Sequence, residues 1–169
     1  TLYSVWGSGP NAGWAVGVSG TIQRWNGTAW TSSTTGSRSN LNGVWGSGPS
    51  DVWAVGSAGT ILRWNGTTWA SVTSGATGIL RAVWGSGPSD VWAVSDAGTI
   101  ARWNGTLWSS VTTVTSVTAN ELDGVWGSGP SDVQPKRSTT TTVELSLPTP
   151  TIAGAPVAAA RAYMRCAIS

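Results

Sequence analysis

Histidine and phenylalanine are absent from this 169-residue chain, cysteine and lysine occur once each (Cys166, Lys136), and charged side chains make up only 9%. Each shortage excludes something. A lone cysteine forbids an intrachain disulfide and a cysteine-based zinc cluster. The missing histidine removes the usual general base, the commonest metal ligand and every Ser-His-Asp or Cys-His arrangement. The net charge of +2, with scattered arginines, makes no basic footprint for nucleic acid. No stretch is long and apolar enough to span a bilayer. A start at Thr1 without methionine reads as processing or as a piece of something longer.

What is abundant is tryptophan, 13 residues of it, with 23 glycines. The tryptophans recur in register. Trp6, Trp45, Trp84 and Trp126 open successive units at intervals of 39, 39 and 42 residues. Trp14, Trp25 and Trp30 follow in the first unit, Trp53, Trp64 and Trp69 in the second, Trp92, Trp103 and Trp108 in the third. A period near 40 residues marks a repeat architecture, in which each unit buries its faces against its neighbours.

Each unit holds four strand-like segments; in the second they are LNGVWG, DVWAVG, TILRWNG and TTWASVT. The Gly-Ser-Gly-Pro-Ser stretch before Asp51 is a tight turn, Pro49 presetting its backbone. Phosphate-binding glycine loops need a lysine and a following helix, and this loop has neither. Asn65-Gly66 predicts a two-residue type I′ hairpin, with Trp64 facing Thr67 and Leu62 facing Trp69. Leu62, Trp64 and Trp69 then share one face and Ile61 the other, so the sheet is covered on both sides. Four-stranded antiparallel units buried on both faces describe a β-propeller blade. The alternative is a β-trefoil, also built from four-stranded units, whose ricin-type Gln-x-Trp signature occurs once, at Gln23-Arg24-Trp25.

The recurring VWGSGPSDVWAVG, AGTI and RWNGTxW blocks, from Leu2 to Val133, resemble the Trp-rich bacterial β-propeller repeats. That group includes the Asp-box and tectonin-like lectin propellers. The Asp-box pattern is met in part, by Asp96 and Gly98, with Val94 and Ile100 departing from it. The resemblance implies an all-β propeller, and its lectin members imply sugar binding.

Residues 1–133 are expected to form three full blades and the first hairpin of a fourth; 134–169 read as a non-repeat Thr/Pro/Ala-rich tail. Within the tail, TTTTVELSL reads as one strand and VAAARAYMRCAI as a short helix or strand. Propellers have four to eight blades, so three explanations stay open: the tail completes a blade, the chain derives from a longer propeller, or chains associate into one ring. Homo-oligomerisation is the expectation, because an open array exposes a Trp-rich sheet face.

Asp51, Asp90 and Asp132 are repeat equivalents, as are Arg24, Arg63 and Arg102, one per blade. Groups spread one per blade do not converge on a catalytic centre, so the chain reads as non-catalytic, with no metal or cofactor expected. In an up-and-down blade the first and third connections lie at one end. This brings Trp6, Trp45, Trp84 and Trp126, and Trp25, Trp64 and Trp103, towards one face with Asn26, Asn65 and Asn104 and the loop serines Ser8, Ser47 and Ser86. Aromatic faces beside amides and hydroxyls suit sugars. The reading is a multivalent, lectin-like module for a glycan or glycoprotein; its rival is a scaffold for protein partners. At least half of the tryptophans are expected between blades, Trp14, Trp53 and Trp92 first, then Trp30, Trp69 and Trp108. Asn-Gly-Thr also fits the N-glycosylation pattern at Asn26, Asn65 and Asn104, which turn chemistry alone explains. Low charge with abundant Trp, Thr, Ser and Gly points to an extracellular or cell-surface protein.

Overall fold

The computed structural model describes residues 1–111 and 122–137. The readings for most of the tail therefore lie outside the described residues. In the first unit, β1 (Leu2–Gly9), β2 (Ala12–Gly17), β3 (Ile22–Trp25) and β4 (Trp30–Ser33) form one antiparallel sheet in chain order. The second repeats it with β5 (Leu41–Gly48), β6 (Asp51–Gly56), β7 (Ile61–Trp64) and β8 (Trp69–Ser71). The third has β9 (Leu80–Gly87), β10 (Asp90–Ser95), β11 (Ile100–Trp103) and β12 (Trp108–Ser110). A hairpin of β13 (Leu122–Gly129) and β14 (Asp132–Arg137) follows. First strands lie beside first strands, so β1, β5, β9 and β13 line the inside of the fan. This is the blade array of a β-propeller, and the trefoil alternative falls away.

The cores lie between blades. Trp14, Val16 and Ile22 pack on Leu41, Val44, Leu62, Trp64 and Trp69 of the next blade. Trp53, Val55 and Ile61 do the same to Leu80, Val83, Trp103 and Trp108. Trp92, Val94 and Ile100 meet Leu122, Val125 and Val133 of the fourth hairpin. The centre of each seam is aromatic: Trp53 stacks tilted on Trp103 at 5.0 Å and edge-on to Trp108 at 5.3 Å. Trp14 meets Trp64 and Trp69 in the same way. Such offset pairs add to the burial of the rings themselves.

A second device locks the seams nearer the axis. A β-carbon built on Gly46 would lie 2.6 Å from the Trp6 ring; Gly85 stands so to Trp45, and Gly127 at 2.7 Å to Trp84. The glycine after the opening tryptophan of the second, third and fourth units is thus a slot for the indole of the preceding blade. That is why the block reads Val-Trp-Gly.

Two expectations need correction. The Asn-Gly hairpin is a four-residue loop, with Trp64 opposite Trp69 and Leu62 opposite Ser71. Only Gly66 has positive φ, at 97°, which excludes type I′. The cause is Asn65, whose Oδ1 accepts hydrogen bonds from the backbone N–H groups of Thr67 and Thr68 and so holds a wider Asx-type turn. The shift is by two residues, so Leu62, Trp64 and Trp69 still share a face. The other correction is the boundary: β14 pairs with β13 as far as Arg137, opposite Leu122, four residues beyond the expected end.

Candidate functional site

The fan has two ends, and they differ chemically. At the hairpin end the first and third connections of each blade meet, as the blade topology requires. They touch closely: a β-carbon on Gly66 would lie 3.1 Å from Ser50, and the Trp103 indole donates to the Pro88 carbonyl at 3.2 Å. The equivalent Trp25 indole donates to Pro10. Asn26, Asn65 and Asn104 are exposed here, but each Oδ1 is committed to its own turn. Ser47 and Ser86 donate to Asp51 and Asp90, both at 2.6 Å.

Those carboxylates in turn hold the repeat arginines. Arg63 Nε donates to Asp51 Oδ1 at 2.8 Å, and Arg102 Nε to Asp90 Oδ1 at 2.7 Å. Each guanidinium lies over indole, Arg63 at 4.8 Å from Trp53 and 5.4 Å from Trp103. In the second and third blades serine, aspartate, arginine and tryptophan form one brace each, combining an ion pair with cation–π stacking.

The candidate aromatic platforms divide. Trp64 and Trp103 are each only 6% exposed, because their rings turn towards the preceding blade and stack on Trp14 and Trp53. The expectation that they line the face is corrected accordingly. Trp25 is half-buried. Trp6, Trp45 and Trp84 are half-buried in their glycine slots, and Trp126 is 52% exposed. Seven of the thirteen tryptophans are buried, as expected of inter-blade core. Trp30, expected among them, is 47% exposed, since no described blade covers its side of the first sheet.

The opposite end holds what the repeat pattern obscured. Where the first strands begin, Tyr3, Asn40, Asn42, Ser57, Ile79 and Arg81 surround a groove of about 440 Å³. Tyr3, Asn42 and Arg81 are repeat equivalents, followed by Asp123, and no two are alike. The neighbouring Leu and Val-Trp-Gly positions are the same in every unit. Asn40 and Ile79 also differ from their counterparts Thr1 and Glu121. Unlike residues framed by constant Leu and Val-Trp-Gly positions were the available signal.

Local bonds shape this groove. Asn42 Nδ2 donates to the Leu80 carbonyl at 2.9 Å, and Asn40 Oδ1 accepts the Ser19 N–H. Asp96 Oδ1 accepts the Ile79 N–H, and its other oxygen lies 3.7 Å from Arg81. Arg81 Nε is buried without an acceptor among the described residues. The set offers a phenol, amides and a guanidinium, suited to holding polar main-chain or hydroxyl groups. Among the described residues, no three His, Cys, Asp or Glu side chains gather as metal ligands do.

No family model and no curated protein matches the chain. Solved structures do. The structure titled YCF48 bound to D1 peptide superposes with a TM-score of 0.65 at 20% identity, covering 85% of this chain and 50% of that one. YCF48 from Cyanidioschyzon merolae gives 0.57 at 17% identity, covering 85% and 58%. The chain thus spans about half the length of these neighbours, and the likeness establishes the propeller fold.

Proposed function

We propose that this chain is a non-catalytic binding module that takes an extended peptide segment across the groove at the strand-start end. The observation that carries the reading is the ring of unlike residues, Tyr3, Asn42, Arg81 and Asp123, set between the Leu and Val-Trp-Gly positions that every unit shares. Repeat scaffolds keep framework positions constant and place recognition on a concave surface. A neighbour of the same fold is titled as binding a peptide, which supports a protein-binding role. The test is a displayed peptide library. Selected peptides should lose at least tenfold in affinity to Asn42→Ala and Arg81→Ala while Asn104→Ala changes nothing. Peptides indifferent to both groove variants would sink the assignment.

Sugar binding at the hairpin end is the second reading. It rests on the accessible parts of Trp6, Trp45, Trp84 and Trp126 beside exposed Ser47 and Ser86. A glycan array decides it: binding lost in Trp45→Ala would favour a lectin, and silence across the array would remove it.

We also propose that a second copy of the chain completes the ring. Trp126 is an exposed knob of the kind that fills a slot at three other seams, and Gly7 is an exposed slot with no ring in it. Light scattering should give twice the chain mass, and Gly7→Val should reduce it to the monomer. A folded monomer at all concentrations would exclude this assembly. We place the protein outside the cell or at its surface on composition alone, which cell fractionation tests.

A further inference from the structure

The brace at the hairpin end is not the same in the three full blades: the first lacks its carboxylate. In the second blade Asp51 takes Arg63 Nε on one oxygen and the Ser47 hydroxyl on the other, and in the third Asp90 takes Arg102 and Ser86. The first blade keeps every other part of this brace. Arg24 lies 5.3 Å from the Trp14 ring and 5.4 Å from Trp64, as its counterparts lie over theirs, and Ser8 stands where Ser47 and Ser86 stand. The position of the aspartate is held by Ala12, paired with Gly9 as Asp51 is with Gly48. Among the described residues no acceptor takes the Arg24 guanidinium, and Arg24 and Ser8 are both exposed.

We propose that Arg24 and Ser8 form a binding site for a carboxylate carried by a partner, and that the partner is an Asp-bearing peptide. The molecule supplies its own template. Twice it fills this cradle with an aspartyl side chain, one oxygen on arginine and one on serine. The stacked indoles hold the guanidinium flat, so little freedom is lost when the anion arrives. A charge-assisted bond to a pre-oriented arginine is stronger than one to a free side chain. The site lies at the opposite end from the groove and does not depend on the groove binding anything.

The experiment follows the arginine Nε–H and tryptophan indole N–H signals of the full chain by NMR. The probes are Ac-Gly-Asp-Gly-NH2, its Asn counterpart and glucuronate. The Asp peptide should give saturable shifts at Arg24, Trp14 and Trp64, and the Asn peptide should bind at least fivefold more weakly. Arg24→Gln should abolish the shifts. Ala12→Asp should abolish them too while leaving thermal stability unchanged or higher, because it fills the cradle from within. That variant separates occupancy from misfolding. Equal shifts from both peptides, or shifts that persist in Ala12→Asp, would overturn the site. Tighter saturation by glucuronate than by the Asp peptide would overturn the peptide assignment. Failure here leaves library peptides that respond to Asn42→Ala untouched, so the two readings fall separately.

Discussion

The Trp45 ring reaches across a blade boundary to within 2.6 Å of where a β-carbon on Gly85 would stand. Adding that carbon must push the indole or the strand aside, and backbone from Asp90 closes the same space at 2.7 Å. Gly85→Ala is therefore expected to destabilise the fold by about 1–3 kcal/mol, the range for overpacking a filled site. Gly87, two residues on in the same loop block, has no atom within 4 Å of its β-carbon position. Gly87→Ala should be near neutral. Urea unfolding of both variants checks the contrast, and equal losses would refute the slot.

Trp53 is fully buried against Trp103 and Trp108, whereas Trp126 is half-exposed. Trp53→Ala should cost about 3–5 kcal/mol, as for a large aromatic removed from a core. Trp126→Ala should change the stability of the isolated chain by less than about 1 kcal/mol, as at an exposed site. Thermal or chemical denaturation measures both.

Ala58 occupies the left-handed region at φ 55°, inside the short turn Ser57–Gly59 that links β6 to β7. A side chain there costs about 1 kcal/mol that glycine does not incur. Ala58→Gly should therefore stabilise the protein by several tenths of a kcal/mol, after the added freedom of glycine in the unfolded chain is subtracted. A lower unfolding midpoint would contradict the strain.

Asp132 has no arginine partner among the described residues. Hydrogen bonds from the Ser128 hydroxyl, and then from the Gln134 amide, hold its carboxyl below the usual value of 3.8. A depressed folded-state value means that its contribution to stability is present above the unfolded value. That contribution is lost as pH falls through the folded one. Ser128→Ala should raise the Asp132 titration towards the ordinary carboxylate range, read from the side-chain carboxyl signal by NMR. No change on removing the hydroxyl would show that another group sets it.

The repeat made much of this architecture readable before any coordinates. Tryptophan spacing located the strands of three blades, and the apolar pattern on both faces foretold cores between blades. The turn at Asn65 was misjudged because the dipeptide signal ignores what the asparagine side chain does; its two bonds to Thr67 and Thr68 widen the loop. The site was harder to see for a different reason. Repetition drew attention to Trp64 and Trp103, which recur because they are core. Recognition needs what does not recur, and Tyr3, Asn42 and Arg81 look unremarkable until their strands lie side by side. The vacancy opposite Arg24 is likewise invisible in one blade and evident on comparing three.

The seating of each indole in the glycine of the following unit also bears on how such a chain can change its length. Both halves of every seam are encoded at the same place in each unit, so a break and rejoining between any two units restores a matched pair. Whole cassettes of 39 residues can then be duplicated or excised with no interior to redesign. Unequal recombination, ruinous in a domain with one shared core, would here yield longer or shorter arcs built on the same joints.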